Sequence, residues 1–274
     1  MSGVTPSRTA KLRRGGRLLR GLARNPVEGV THVRERLAEH RARWRPETVY
    51  RAELEWESRL HELLGARWPC PEALEFRRRW EEIVDSLRGQ GIAIGRSAYG
   101  GWDDGDPALA RAAWCLACHL GPQRVVETGV GRGLTSRAVL EALERNGDGH
   151  LWSIDLPPAL APTLRRQTGI AVPGRLQERW TYVQGSSRRR LPGLLAELEA
   201  IDLFIHDSMH TARNVLFELG SAWQALRAGG VILVDDVNLS RGFELFTSRL
   251  SAGGHVLVGR SDDGERLLGL IRRA

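Results

Sequence analysis

Cysteine is scarce in this chain of 274 residues. Cys70, Cys115 and Cys118 are too few for a disulfide framework and suit a reducing cytosol. Long apolar runs are missing as well: VILV at 231–234 falls far short of the ~20 residues that span a bilayer, so no membrane span is expected. The N-terminal MSGVTPSRTAKLRRGGRLLRGLARNP has no apolar core of the secretory kind, and the expected location is cytoplasmic. Lysine is nearly absent, Lys11 alone among 40 basic residues, which points to a GC-rich coding sequence and to nothing mechanistic. What is present is ordinary for a globular protein, 42% hydrophobic and 27% charged.

The net charge of +7 raises the question of a nucleic-acid partner. Residues 1–24 hold seven basic groups and no acid, and removing those seven from 40 leaves a body balanced at 33 of each sign. The excess is a basic arm over residues 1–25, read as a solvated tail, with a polyanion or membrane-surface contact or an organelle transit segment as alternatives. Nucleic acid is therefore not the expected partner of the body.

Cys115 and Cys118 belong to C-L-A-C-H, the spelling of a c-type haem attachment. The pentapeptide lies in DPALARAAWCLACHLG, where Asp106 can cap a helix, Pro107 fits its first turn, and Ala110, Ala113, Trp114 and Ala117 form an apolar stripe. Buried helical cysteines are expected there, ahead of haem, a metal or a redox pair.

From Pro26 to about Gly89 the pattern is helical: Val27 to Trp44, Pro46 to Leu64, and Pro71 to Leu87. Trp44, Trp56, Trp68 and Trp80 fall twelve apart without a flanking repeat and read as packing residues. After IGRSAYGGWDDGD, strand-like runs (RVVETG, HLWSID, TYVQGS, IDLFIHD, GVILVDDV) alternate with helices around Ser136 to Arg145, Leu191 to Leu198 and Ala212 to Leu226. Alternation of this kind predicts a mostly parallel sheet covered on both faces. The last two runs, HVLVGR and RLLGLIRR, flank the turn signal SDDG and should form an antiparallel hairpin. The expected fold class is α/β, a Rossmann-like doubly wound sheet of seven strands with a C-terminal hairpin, preceded by a helical segment. Residues 26–104 would form a lid or dimer surface and 105–274 the main domain.

The first strand runs into E-T-G-V-G-R-G, glycines that let a backbone approach a ligand at a helix N-terminus. Leu134 stands where a dinucleotide fold wants its third glycine, which counts against a nicotinamide oxidoreductase. A carboxylate at Glu127 suits an ammonium group better than a pyrophosphate. E-x-G-x-G-x-G resembles motif I of the class I S-adenosylmethionine-dependent methyltransferases. The resemblance implies that Gly129 and Gly131 line the methionine part of the cofactor, that Glu127 helps hold its amino group, and that Gly133 and Thr135 belong to the same turn.

Asp155 ends the second strand, 26 residues beyond Gly129, where nucleoside-binding sheets place an acid for the ribose diol. The resemblance adds Gly185 and Ser186, after strand three, as adenine contacts. Strands four and five end in I-H-D-S-M-H and V-D-D-V-N, so Asp207, Asp235 and Asp236 should meet at the carboxyl edge of the sheet. Clustered carboxylates repel unless a cation neutralises them, and oxygen ligands favour Mg²⁺, Mn²⁺ or Ca²⁺. The arrangement is similar to the metal-dependent small-molecule O-methyltransferases, of the catechol type and of the macrocin-like sugar type, and D-x-x-H before a helix is found in Methyltransf_24-type sequences. His210 stands where the catechol pattern has its lysine base and is a candidate general base, with helix cap or metal ligand as alternatives. His206 should point away from the site and pack.

These readings together imply methyl transfer from S-adenosylmethionine, assisted by a divalent cation such as Mg²⁺, to a hydroxyl of a small molecule such as a sugar or natural product. A methyltransferase acting on nucleic acid or protein through the basic arm is the alternative, and a possible homodimer is expected by analogy.

Overall fold

The computed structural model describes residues 50–158, 161–250 and 254–274. The basic arm and the helix expected over Val27 to Trp44 lie outside the described residues. The described helices are α1 (Trp56–Leu64), α2 (Pro71–Gly89), α3 (Ala108–Leu120), α4 (Leu134–Asn146), α5 (Pro162–Arg166), α6 (Ser187–Leu198), α7 (Ala212–Ala225) and α8 (Gly242–Thr247). The strands are β1 (Arg124–Thr128), β2 (His150–Asp155), β3 (Trp180–Gln184), β4 (Ile201–His206), β5 (Leu226–Val234), β6 (Gly254–Arg260) and β7 (Leu267–Arg273).

All seven strand-like runs pair into one sheet of order β3-β2-β1-β4-β5-β7-β6. The β1–β2, β1–β4, β2–β3 and β4–β5 pairs are parallel, and β7 runs antiparallel to both β5 and β6. Alternation divides the apolar strand residues between two layers. Val125, Leu151, Leu203, Ile205, Val231 and Leu233 pack with α3 and α4. Val126, Ile154, Phe204, Ile232 and Val234 face α6 and α7 on the other side. The strand order reverses between β1 and β4, and a crevice opens beyond the carboxyl ends of such a pair.

The N-terminal helices share this core: Trp56, Leu60 and Phe76 are buried in the same cluster as Trp114 of α3. Asp106 accepts the Ala108 N–H at 2.9 Å, the expected cap. Two boundaries differ from the sequence reading. Pro46 to Leu64 is not one helix, because within its described part the chain is non-helical before Trp56. There Glu53 bridges Gly259 and donates its N–H to the Val258 carbonyl at 2.8 Å, satisfying the open edge of β6. Helix α6 begins at Ser187 rather than Leu191, since its arginine-rich first turn carries no apolar periodicity.

Candidate active site

The turn after β1 is held by its own backbone. Gly129 donates its N–H to the Ile154 carbonyl at 2.8 Å, and Gly129, Gly131 and Gly133 have φ of 86°, 52° and 82°. These left-handed values favour glycine at each position. A Cβ on Gly129 would lie 1.9 Å from the Asp207 carbonyl oxygen, so the turn is pressed against the end of β4. At Gly131 a Cβ would meet only the Tyr99 ring, at 3.5 Å. Gly133 faces Gly169 instead and is not part of the cleft wall; a Cβ there would stand 3.1 Å from the Gly169 Cα.

A cleft of about 330 Å³ opens above this turn. Gly129, Gly131, Thr135, Asp155, Gly185 and Ser186 all line it, as do Tyr99 and Trp102 from the glycine-rich segment before α3. Glu127 lies beneath the floor, fully buried: its Oε2 accepts the Ser136 and Ser153 hydroxyls at 2.7 and 2.6 Å, and its Oε1 has no partner. Burial raises both acids, against hydrogen bonds from Ser153 and Ser136 to Glu127 and from the Leu156 and Val130 amides to Asp155, to about 7 in each case.

The folded protein therefore keeps a proton on Glu127 that the unfolded chain has lost. Its contribution makes stability fall as pH rises from about 4.5 to about 7, by roughly 3 kcal/mol in all. Denaturant midpoints across that window should show the fall, and Glu127→Gln should make it shallower, Asp155 keeping its own share. Parallel curves for the two proteins would assign the proton elsewhere.

On the opposite wall the ends of β4 and β5 meet. One ligand atom each from Asp207, His210 and Asp235 lies within 4.8 Å of the others. Asp207 and Asp235 share a hydrogen bond, and burial together with neighbouring carboxylates pushes both well above the usual range. His210 is pushed down to about 3 by burial, with His206 adding, and its Nδ1 has no partner. It is a neutral imidazole with a lone pair to offer.

Asp236 adopts a left-handed φ of 49°, and its carboxylate turns aside from the trio. Its Oδ1 lies 3.8 Å from Arg266 Nε, and its Oδ2 lies 3.9 Å from His210 Nε2. Burial raises it to about 6 in spite of Arg266. The geometry thus groups His210, rather than Asp236, with Asp207 and Asp235.

Two arrangements escaped the sequence reading. Arg132, the variable residue of the glycine motif, is buried and donates to the carbonyls of Ala93 (2.7 Å) and Ala98 (3.1 Å), to Gln167 Oε1 (3.0 Å) and to Asp104. It fastens the Tyr99 segment over the glycine turn. His206 does face away from the cleft, but into a polar network: its Nδ1 donates to Glu218 Oε2 at 2.6 Å. Thr128, Ser208 and Asn214 also donate to Glu218, at 2.6, 2.8 and 2.8 Å. Burial opposes ionisation of Glu218, yet His206, Ser187 and Thr128 hold it at about 2. The signal was available, because Glu218 sits among Val215, Leu219 and Ala222 on the apolar face of α7.

Residues 126–237 match a family model described as a methyltransferase domain. That stretch is similar to methyltransferase domains. Its fold is also that of solved O-methyltransferases. An assigned O-methyltransferase from Klebsiella pneumoniae aligns with a TM-score of 0.53 at 17% identity, over 80% of this chain and 97% of that one. An O-methyltransferase from Bacillus cereus in complex with SAH aligns at 0.52 and 15% identity, over 80% and 99%. No curated protein matches the sequence. Among the described residues, no helix is long and apolar enough to cross a membrane.

Proposed function

We propose that this methyltransferase moves the methyl group of S-adenosylmethionine to a hydroxyl oxygen of a small molecule carrying two neighbouring oxygens, with a divalent cation at the acid cluster. The observation that carries the reading is the placement of Asp207, His210 and Asp235 in the cleft that also holds the glycine turn and Asp155. Two carboxylates and an imidazole whose Nδ1 lacks a partner suit a divalent cation that accepts both oxygen and nitrogen, such as Mn²⁺, better than the all-oxygen set expected for Mg²⁺. A volume of about 330 Å³ fits small ligands rather than a polymer.

The sulfonium cofactor supplies an electrophilic methyl group, and a bound cation lowers the pKa of an acceptor hydroxyl. The protein does the rest. Asp155 would accept hydrogen bonds from the ribose diol, and Gly131 would leave room for the methionine end beside Tyr99. Asp207, His210 and Asp235 would hold the cation to which the acceptor oxygens bind, which makes alignment the principal source of rate. Asp236, raised to about 6 and within 3.9 Å of His210, is placed to take the hydroxyl proton. Thus the base role that the sequence suggested for His210 passes to Asp236, and its ligand role passes to His210. Tyr99 and Trp102, fastened by Arg132, keep water from the reacting atoms.

The test is calorimetric titration with S-adenosylhomocysteine, followed by methyl transfer to a panel of diol-bearing acceptors with Mg²⁺ and with EDTA. Binding and cation-dependent turnover are expected, and full turnover in excess EDTA would remove the cation from the proposal. Asp155→Ala should weaken S-adenosylhomocysteine binding by about 10- to 100-fold, the worth of one or two lost hydrogen bonds to a charged acceptor. An unchanged affinity would take the ribose away from Asp155.

A further inference from the structure

Away from the cleft, α1, α2 and α3 bring soft-metal ligands to one interior point. His61 comes from α1, Cys70 caps α2, and Cys115 and His119 stand one turn apart on the same side of α3. His61 Nε2 lies 3.0 Å from Cys70 Sγ. One ligand atom each from His61, Cys70 and His119 falls within 4.8 Å of the others, and the Cys115 thiol hydrogen-bonds the Cys70 sulfur. His61, Cys70 and Cys115 are buried.

We propose that His61, Cys70, Cys115 and His119 form a structural Zn²⁺ site that joins the N-terminal helices to the methyltransferase domain. Protonation geometry supports this. His61 Nδ1 lies 2.6 Å from the Glu57 carbonyl and must carry the proton there, so Nε2 presents its lone pair to Cys70. A backbone carbonyl behind a ligating imidazole is the usual second partner at zinc sites. His119 Nε2 is buried without any hydrogen-bond partner. With its thiol proton lost to solvent, Cys70 would present sulfur lone pairs to the same point as the two imidazoles, where a cation would be held.

Zinc–sulfur and zinc–nitrogen bonds of about 2.3 and 2.0 Å set tetrahedral ligand separations near 3.5 Å. His61 Nε2 and Cys70 Sγ stand 3.0 Å apart and the His119 ligand atom lies within 4.8 Å of both, so side-chain adjustments of about an ångström bring these three into the shell, with Cys115 rotating in as the fourth ligand. Two sulfurs and two imidazoles select Zn²⁺ over Mg²⁺ or Ca²⁺. The thiol protons leave to solvent on binding. Such a site ties α1 and the start of α2 to α3, so the metal's binding energy becomes stability of the helical segment.

The untagged full chain, purified from zinc-replete cells without chelator, should contain close to one zinc per chain by elemental analysis. Replacing that zinc with Co²⁺ under reducing conditions should produce a thiolate-to-cobalt charge-transfer band. The carboxylate and imidazole cluster of the cleft cannot give this band, because it has no sulfur. Cys70→Ser and His119→Gln should each abolish the band, and Cys118→Ser should keep it. Should either variant fail to fold, alkylation of the wild type decides: Cys70 and Cys115 should be shielded until a strong chelator is added. The proposal is overturned by wild-type protein that gives no thiolate band, by a band that persists in Cys70→Ser, or by a Cys70–Cys115 disulfide in freshly isolated protein.

Discussion

Asp235→Asn is expected to lower kcat/KM by about 10³-fold, equivalent to roughly 4 kcal/mol of lost transition-state stabilisation, while S-adenosylhomocysteine affinity stays within about threefold. Asp235 follows the end of β5 and lines the same cleft as Asp155, bonded to Asp207 and within reach of His210. Asparagine keeps the shape and removes the charge that attracts a cation. The same change should not weaken the metal-free fold. Burial raises both aspartates, so the native pair holds a proton that the unfolded chain gives up above pH ~4. Their contribution to stability therefore declines as pH rises through that range, and the asparagine variant is relieved of part of the decline. Thermal melts at mildly alkaline pH, with EDTA and with Mn²⁺, separate the two effects. Without metal the variant should melt at or above the wild type, whereas Mn²⁺ should raise the wild type alone by linkage. Full activity in the variant, or an equal Mn²⁺ shift in both, would detach the acids from catalysis.

The sheet was legible because each strand carries a short apolar run bounded by turn residues, and the runs alternate with amphipathic helices such as α7. The C-terminal hairpin was legible from SDDG, where Ser261 accepts the Arg266 N–H at 3.0 Å and closes the turn. Side-chain placement was legible only where strand alternation fixes direction, as at Asp207 and Asp155, which both line the cleft. After β5 it does not: Asp235 and Asp236 are identical in sequence, and the left-handed backbone at Asp236 decides which of them joins Asp207. Likewise Gly133 matches the spacing of a cofactor glycine, but its partner Gly169 comes from a segment that no periodicity links to the motif. The extended stretch before Trp56 was hidden because a helical propensity there yields to an open sheet edge, a tertiary effect.

The glycine turn makes the last distinction, since two of its members should fail in different ways. In Gly129→Ala the new methyl group would sit 1.9 Å from the Asp207 carbonyl oxygen, 2.4 Å from its carbonyl carbon and 2.8 Å from Ser208 N. All three are backbone atoms, so no rotamer change relieves the overlap. Left-handed φ at Gly129 adds about 1–2 kcal/mol for an alanine. The end of β4 must move, although Asp207 N–H donates to the Thr128 carbonyl at 2.8 Å and holds that end against β1. A loss of about 4 kcal/mol or more is expected, seen as a fall in melting temperature with or without cofactor. Gly131→Ala has the same left-handed strain but meets only the edge of Tyr99 at 3.5 Å, so its stability loss should stay near the strain alone, about 1–2 kcal/mol. Its methyl group projects into the cleft, so S-adenosylhomocysteine affinity should drop sharply in a protein that remains folded. If both variants melt alike and bind alike, the turn does not divide its duties between seating β4 and admitting the cofactor; if Gly131→Ala binds normally, the methionine end of the cofactor lies elsewhere in the cleft.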